Sequence, residues 1–218
     1  MVWLLPGYKP TMNDTTNTHS LRYDSGGTAA ISENNLKLLR TYVSDMLALE
    51  KHIRQPLDKQ HKDDDTQKFP DALTIIAKIK GNNEAHIAAL TTHLEALGGH
   101  AASPVKEGVS AVAGVFAAAI DASRKSKVTK NLRDDYTALS LATVSYELLH
   151  ATALSMGDRQ TADLAKRFLK DYAECIMAIS KSIPTVVVNE LVIDGEDVDI
   201  TIDWQAKDNV ANAWRTAG

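Results

Sequence analysis

The chain has a single cysteine, Cys175, among 218 residues. That excludes an intramolecular disulfide framework and fits a reducing compartment. An excess of positive charge is also missing. Lys and Arg number 24 against 28 Asp and Glu, for a net charge of -4, so there is no electrostatic case for a nucleic-acid partner. No apolar run approaches the ~18 residues that a membrane span needs. The early "VWLL" lacks a basic leader and is too short for a signal-peptide core. The expectation is a cytoplasmic protein that binds neither nucleic acid nor membrane. Nor is there a GxSxG elbow, a phosphate-binding glycine loop or a CxxC pair. What remains is ordinary globular material, 44% hydrophobic and 24% charged, in a length suited to one core with appendages.

Three segments follow from the pattern. Residues 1–33, rich in Thr, Asn, Ser and Gly without periodicity, read as a flexible arm. Residues 34–190 carry helical periodicity, and 191–218 form a tail. In that tail "VDITID" alternates like a strand, Asp194-Gly195 suits a hairpin turn, and Trp204, Val210 and Trp214 mark a short helix.

Within 34–190 the spacing predicts four long helices. The first, about 34–60, has Leu36, Leu39, Val43, Met46, Ile53 and Leu57 on one seam, with Glu50 at the position between Met46 and Ile53. The polar stretch after it reads as a loop. Pro70 opens the second helix and Gly98-Gly99 closes it, with Asn83 and His86 interrupting its apolar stripe. A long connection over 100–130 contains the small, apolar "GVSAVAGVFAAAI", expected to lie against the outside of a bundle. The third helix, about 131–156, offers two adjoining stripes. One is Tyr136, Leu139, Thr143, Tyr146, His150 and Ala153; the other is Val144, Glu147, Ala151 and Leu154. Together they predict a wide inward face that includes Glu147 and His150. Gly157-Asp158 turns into the fourth helix, about 159–183, where Asp171 has apolar neighbours and Glu174 shares a basic, solvated stripe. His93 and His100 read as hydrogen-bonded core residues and Cys175 as a buried, inert thiol.

Each helix thus carries a polar intrusion near its midpoint: Glu50, Asn83 with His86, Glu147 with His150, and Asp171. Midpoints of antiparallel helices share one layer, so these groups can satisfy one another around a common centre. An unpaired buried charge costs several kcal/mol or more.

The stretches "MLALEKHI", "NNEAHIAALTTHLEALGG", "LRDDYTALSLA" and "YELLHATALSMGDRQTADLAKRFLKDYAECIMAI" resemble the ferritin-like superfamily, most closely the YciE/YciF type of bacterial proteins. The resemblance covers about residues 34–190. It implies an all-α, ferritin-like four-helix bundle with a long crossover between the second and third helices, a dinuclear metal centre and a link to bacterial stress. That family places a Glu on each of two helices and Glu-x-x-His on the other two. Glu50 and Glu147 match carboxylate positions and His86 matches a histidine position. Asn83 stands where a Glu belongs, Asp171 takes the fourth-helix carboxylate position, and Glu174 replaces its His. His150 completes Glu147-x-x-His150. The ligand set Glu50, His86, Glu147, His150 and Asp171, with Asn83 beside them, suits iron or manganese and also zinc. The implied function is metal-dependent redox or peroxide chemistry. The alternative is a metal-free scaffold or interaction module with a degenerate site, and a homodimer through a bundle face or the tail is a further expectation.

Overall fold

The computed structural model describes residues 31–100 and 127–216 of the chain; the arm over 1–30 and the apolar crossover stretch over 101–126 lie outside the described residues. The described residues are all-helical. The elements are α1 (Glu33–Gln60), a one-turn α2 (Asp64–Gln67), α3 (Pro70–Ala96), α4 (Lys127–Ser155), α5 (Arg159–Ile193), a 3-10 turn (Ile200–Ile202) and α6 (Asp203–Thr216). The four long helices close a ring in which α1 packs on α3, α3 on α5, α5 on α4 and α4 back on α1.

Local chemistry sets the ends. Ser32 caps α1 by accepting from the Asn35 amide at 3.2 Å, and Pro70 occupies the first turn of α3, where its missing amide costs nothing. At the close of α3, Gly98 takes φ of 78° and the Gly99 amide reaches back to the Leu94 carbonyl at 2.9 Å. A Cβ on Gly99 would stand 2.6 Å from Leu94 Cδ1, so any other residue there would have to displace that buried side chain. Asp158 caps α5 through the Thr161 amide at 3.0 Å. The first turn of α4 is capped from another helix: Glu190 of α5 accepts from the Val128 and Thr129 amides at 2.7 and 2.9 Å. That carboxylate supplies both acceptors and negative charge to a helix N-terminus.

The core runs the length of the bundle and includes Val43, Ile53, Leu57, Ile76, Ile79, Leu90, Leu132, Leu139, Phe168 and Ile179. On α4 the buried positions include Leu132, Asp135, Leu139, Ala142, Tyr146, Leu149 and Ala153. The second stripe expected for this helix does not turn inward: Val144 and Leu154 are 53% and 52% exposed. One residue of offset rotates a side chain by about 100° around a helix, and the two stripes point to different sides.

Three further expectations change. The fourth helix does not stop near 183 but continues through buried Pro184 to Ile193, giving up one amide donor without breaking. Asp194-Gly195 turns the chain without a hairpin, and "ITI" forms a 3-10 turn; no strand occurs among the described residues. His100 is exposed rather than part of the core. In addition, α5 holds an 18-residue window of mean hydropathy 1.5, long and apolar enough by composition to cross a membrane. Its inner stripe, from Ala162 through Tyr172 to Val186, is core of this bundle.

Candidate functional site

Glu50 sits on the bundle axis with no exposed surface. Its seam position on α1 forces it inward along with Met46 and Ile53, which are also buried. Four side chains from three other helices meet its carboxylate. Oε1 accepts from the Tyr146 hydroxyl of α4 and lies 3.1 Å from His86 Nδ1 of α3. Oε2 accepts from the Tyr172 hydroxyl of α5 and from Asn83 Nδ2 of α3, the latter at 2.5 Å. Asn83 Nδ2 also lies 2.9 Å from the Glu50 carbonyl and 3.3 Å from the Tyr172 hydroxyl. Hydrogen bonds to a charged group contribute about 1.5–3 kcal/mol each, so a set of this kind offsets the cost of burying the charge. Burial, then the charge of Glu50, push both tyrosine hydroxyls well above the usual phenol range, which keeps them protonated donors.

His86 links this centre to the surface. Its ring stacks on Phe168 with centroids 3.9 Å apart, and its far nitrogen, Nε2, is 3.2 Å from Asp171 Oδ2. Asp171 is partly exposed, with 36% of its side-chain surface open. An imidazolium donates to both carboxylates, whereas a neutral ring donates to one and needs the other carboxyl to carry the proton.

The expected layer is therefore gathered in part. Glu50, Asn83, His86 and Asp171 come together, and Glu174 faces outward in an ion pair with Lys78 at 3.1 Å. Glu147 does not join them: it is exposed, because Tyr146 rather than its neighbour occupies the inward position of α4. His150 is half-buried and donates from Nδ1 to the Ala162 carbonyl at 2.8 Å, a tie between α4 and α5 rather than part of the centre. His93 is a core histidine as expected, with Nε2 2.7 Å from the Thr161 hydroxyl. Burial lowers its pKa. Cys175 is buried beside Asn82, and burial pushes its thiol up, away from the reactive thiolate.

Tyr146 was visible in the sequence only as a seam residue, and Tyr172 lies on the buried stripe of α5. Their role is legible once each is seen to sit at the height of Glu50 on a neighbouring helix. A second buried polar pair has no such warning. Gln60 Nε2 donates to Asp135 Oδ1 at 3.1 Å, with both residues nearly sealed. Burial raises the Asp135 carboxyl to about 7.

The donor chemistry bears on a metal. A dinuclear centre needs several inward carboxylates with free lone pairs. Here the one fully buried carboxylate of the layer has both oxygens occupied by tyrosine, histidine and amide donors, and Asn83 presents its NH2 to it. Among the described residues no three His, Cys, Asp or Glu side chains converge in a way that could hold a metal ion. The residues present do not fit a dinuclear cofactor.

No protein-family model matches this chain, and no curated protein matches it. Among solved structures, the crystal structure of a protein from Xanthomonas campestris pv. campestris is similar, with a TM-score of 0.59 at 20% identity. The match covers 74% of this chain and 99% of that one. At that identity the likeness shows a shared fold alone.

Proposed function

We propose that this chain is a ferritin-like four-helix scaffold that works as an interaction module, its former metal layer converted into a hydrogen-bonded lock. The observation that carries this reading is the saturation of Glu50. Both carboxylate oxygens accept from side chains on α3, α4 and α5, so one buried charge ties all four long helices at a single height. A buried polar group satisfied in only one arrangement penalises slipped packings and thereby specifies register. Support for the ferritin-like ancestry comes from the order of the helices and from the resemblance at Glu50 and His86. Asn83 is the residue on which the conversion turns. An amide donates to Glu50 where a second carboxylate would repel it.

Elemental analysis of the purified full chain, followed by calorimetric titration with manganese(II) and, without oxygen, iron(II), tests the reading. The expected result is no stoichiometric metal and a melting temperature unchanged by chelator. One equivalent of tightly bound metal, lost in Glu50→Gln, would overturn it in favour of a metal-dependent redox protein.

A further inference from the structure

A groove of about 220 Å³ opens between the start of α3 and the end of α5. Phe69 and Val186 form its buried floor, and Pro70, Val192 and Ile193 its exposed rim. Thr185, also in its wall, donates from its hydroxyl to Asp203 of α6 at 3.3 Å. That bond sets Ile202 and Trp204, the neighbours of Asp203, beside the groove. Both are exposed, at 47% and 67%, and α6 buries none of its own residues. Charge gathers at the same place. Asp194, Glu196, Asp197, Asp199, Asp203 and Asp208 follow Ile193 against only Lys207 and Arg215. This end of the chain therefore carries the whole net charge of -4, and the residues before it are balanced. Gly195, at φ of 80°, and the bond from the Glu196 amide to the Leu191 carbonyl close α5. The acidic stretch thus begins directly after the groove.

We infer that this groove is the docking site for a cationic, amphipathic segment of another protein. An apolar side chain of that segment seats on Phe69 and Val186, and its lysines or arginines meet the carboxylates of the tail. Charge selects the partner. Nucleic acid and an anionic lipid surface have the sign of the tail and are repelled, and a second copy brings its own charge of -4. Size narrows the choice further. Pockets that enclose small ligands run to ~300–1,000 Å³, so this smaller groove with its open rim suits one side chain of a larger partner. Apolar contact holds the segment, and the carboxylates steer its approach.

The inference rests on reading the chain as an interaction module, but the two fail separately: this one in peptide binding, the other in metal content. The probe is a labelled helical peptide of leucine and lysine alone, titrated with the full chain and read by fluorescence anisotropy. It should bind, more weakly as salt rises, and the same peptide with glutamate for lysine should not. Ile193→Ser changes no charge at a position already exposed. It should weaken binding about tenfold and leave the melting temperature unchanged. Asp197→Asn should weaken binding less and flatten its salt dependence. Glu147→Gln removes the same charge from the exposed side of α4 and should have no effect. No binding, or binding untouched by Ile193→Ser, would overturn the proposal. So would equal losses in Glu147→Gln and Asp197→Asn, which mark attraction to net charge alone. A chain that ignores the peptide and instead sediments with phosphatidylglycerol vesicles or as a dimer overturns it too.

Discussion

Gln60 and Asp135 share one hydrogen bond, from Nε2 to Oδ1 at 3.1 Å, while the amide oxygen Oε1 of Gln60 and the second carboxyl oxygen Oδ2 of Asp135 are both buried without a partner. A proton on Asp135 Oδ2 resolves both deficits in one step: it gives Oδ2 a hydrogen to donate and Gln60 Oε1 a donor to accept from. The raised carboxyl pKa, about 7 through burial, agrees with that form. Between about pH 4 and 7 the folded state therefore holds a proton that the unfolded chain, whose aspartate carboxyl has its ordinary pKa of 3.8, has already released. Stability should be greatest in acid as far as this group is concerned, decline from about pH 4 to 7 and then level off. The full effect is a few kcal/mol at most, at about 1.4 kcal/mol per unit. Asp135→Asn should remove this dependence and be the more stable protein at pH 8, read from urea midpoints at pH 5 and 8.

At the bundle centre, Glu50→Gln replaces an acceptor of four donors with a group that has one acceptor oxygen and an NH2. At least one existing donor then faces another donor. The expected loss is about 2–4 kcal/mol, measured by chemical denaturation. Tyr146→Phe should cost less, about 1–3 kcal/mol, since it removes a single donor and leaves the ring packed. A carboxylate held mainly for metal would show the reverse, with the Gln variant as stable as the apoprotein or more so.

Glu147→Gln should leave the folding stability of the bundle within about 0.5 kcal/mol of wild type, because the side chain is exposed. Melting curves of the two proteins check this.

Glu190→Ala removes the acceptors for two amides at the start of α4. Because that end of α4 follows the crossover, the loss should fray its first turn as well as lower stability by about 1–3 kcal/mol. Hydrogen exchange at Val128 and Thr129 should accelerate more than exchange at Leu139.

Much of the helix layout was legible in the sequence because its signals are local. Pro70, Gly98-Gly99 and Gly157-Asp158 mark chain reversals whatever packs around them, and the seam of α1 identified Glu50 as inward. The register of α4 was not legible. That helix has two apolar seams, and periodicity alone cannot say which one meets the core. The choice depends on partners: Tyr146 has Glu50 to donate to, whereas Glu147 would have added a second buried carboxylate. The tail misled for a related reason. Alternation in "VDITID" signals a strand only where a neighbouring strand supplies hydrogen bonds, and among the described residues there is none. Asp135 lay outside the midpoint layer and had no partner recognisable from spacing, since Gln60 is 75 residues away.

The line from Glu50 through His86 to Asp171 crosses from the axis of the bundle to water in two hydrogen-bond steps. His86 therefore touches both the sealed carboxylate and one that water reaches. A substitution at the surface position Asp171 changes what the ring meets at Nε2, and through that single imidazole it is felt at the axis of the bundle.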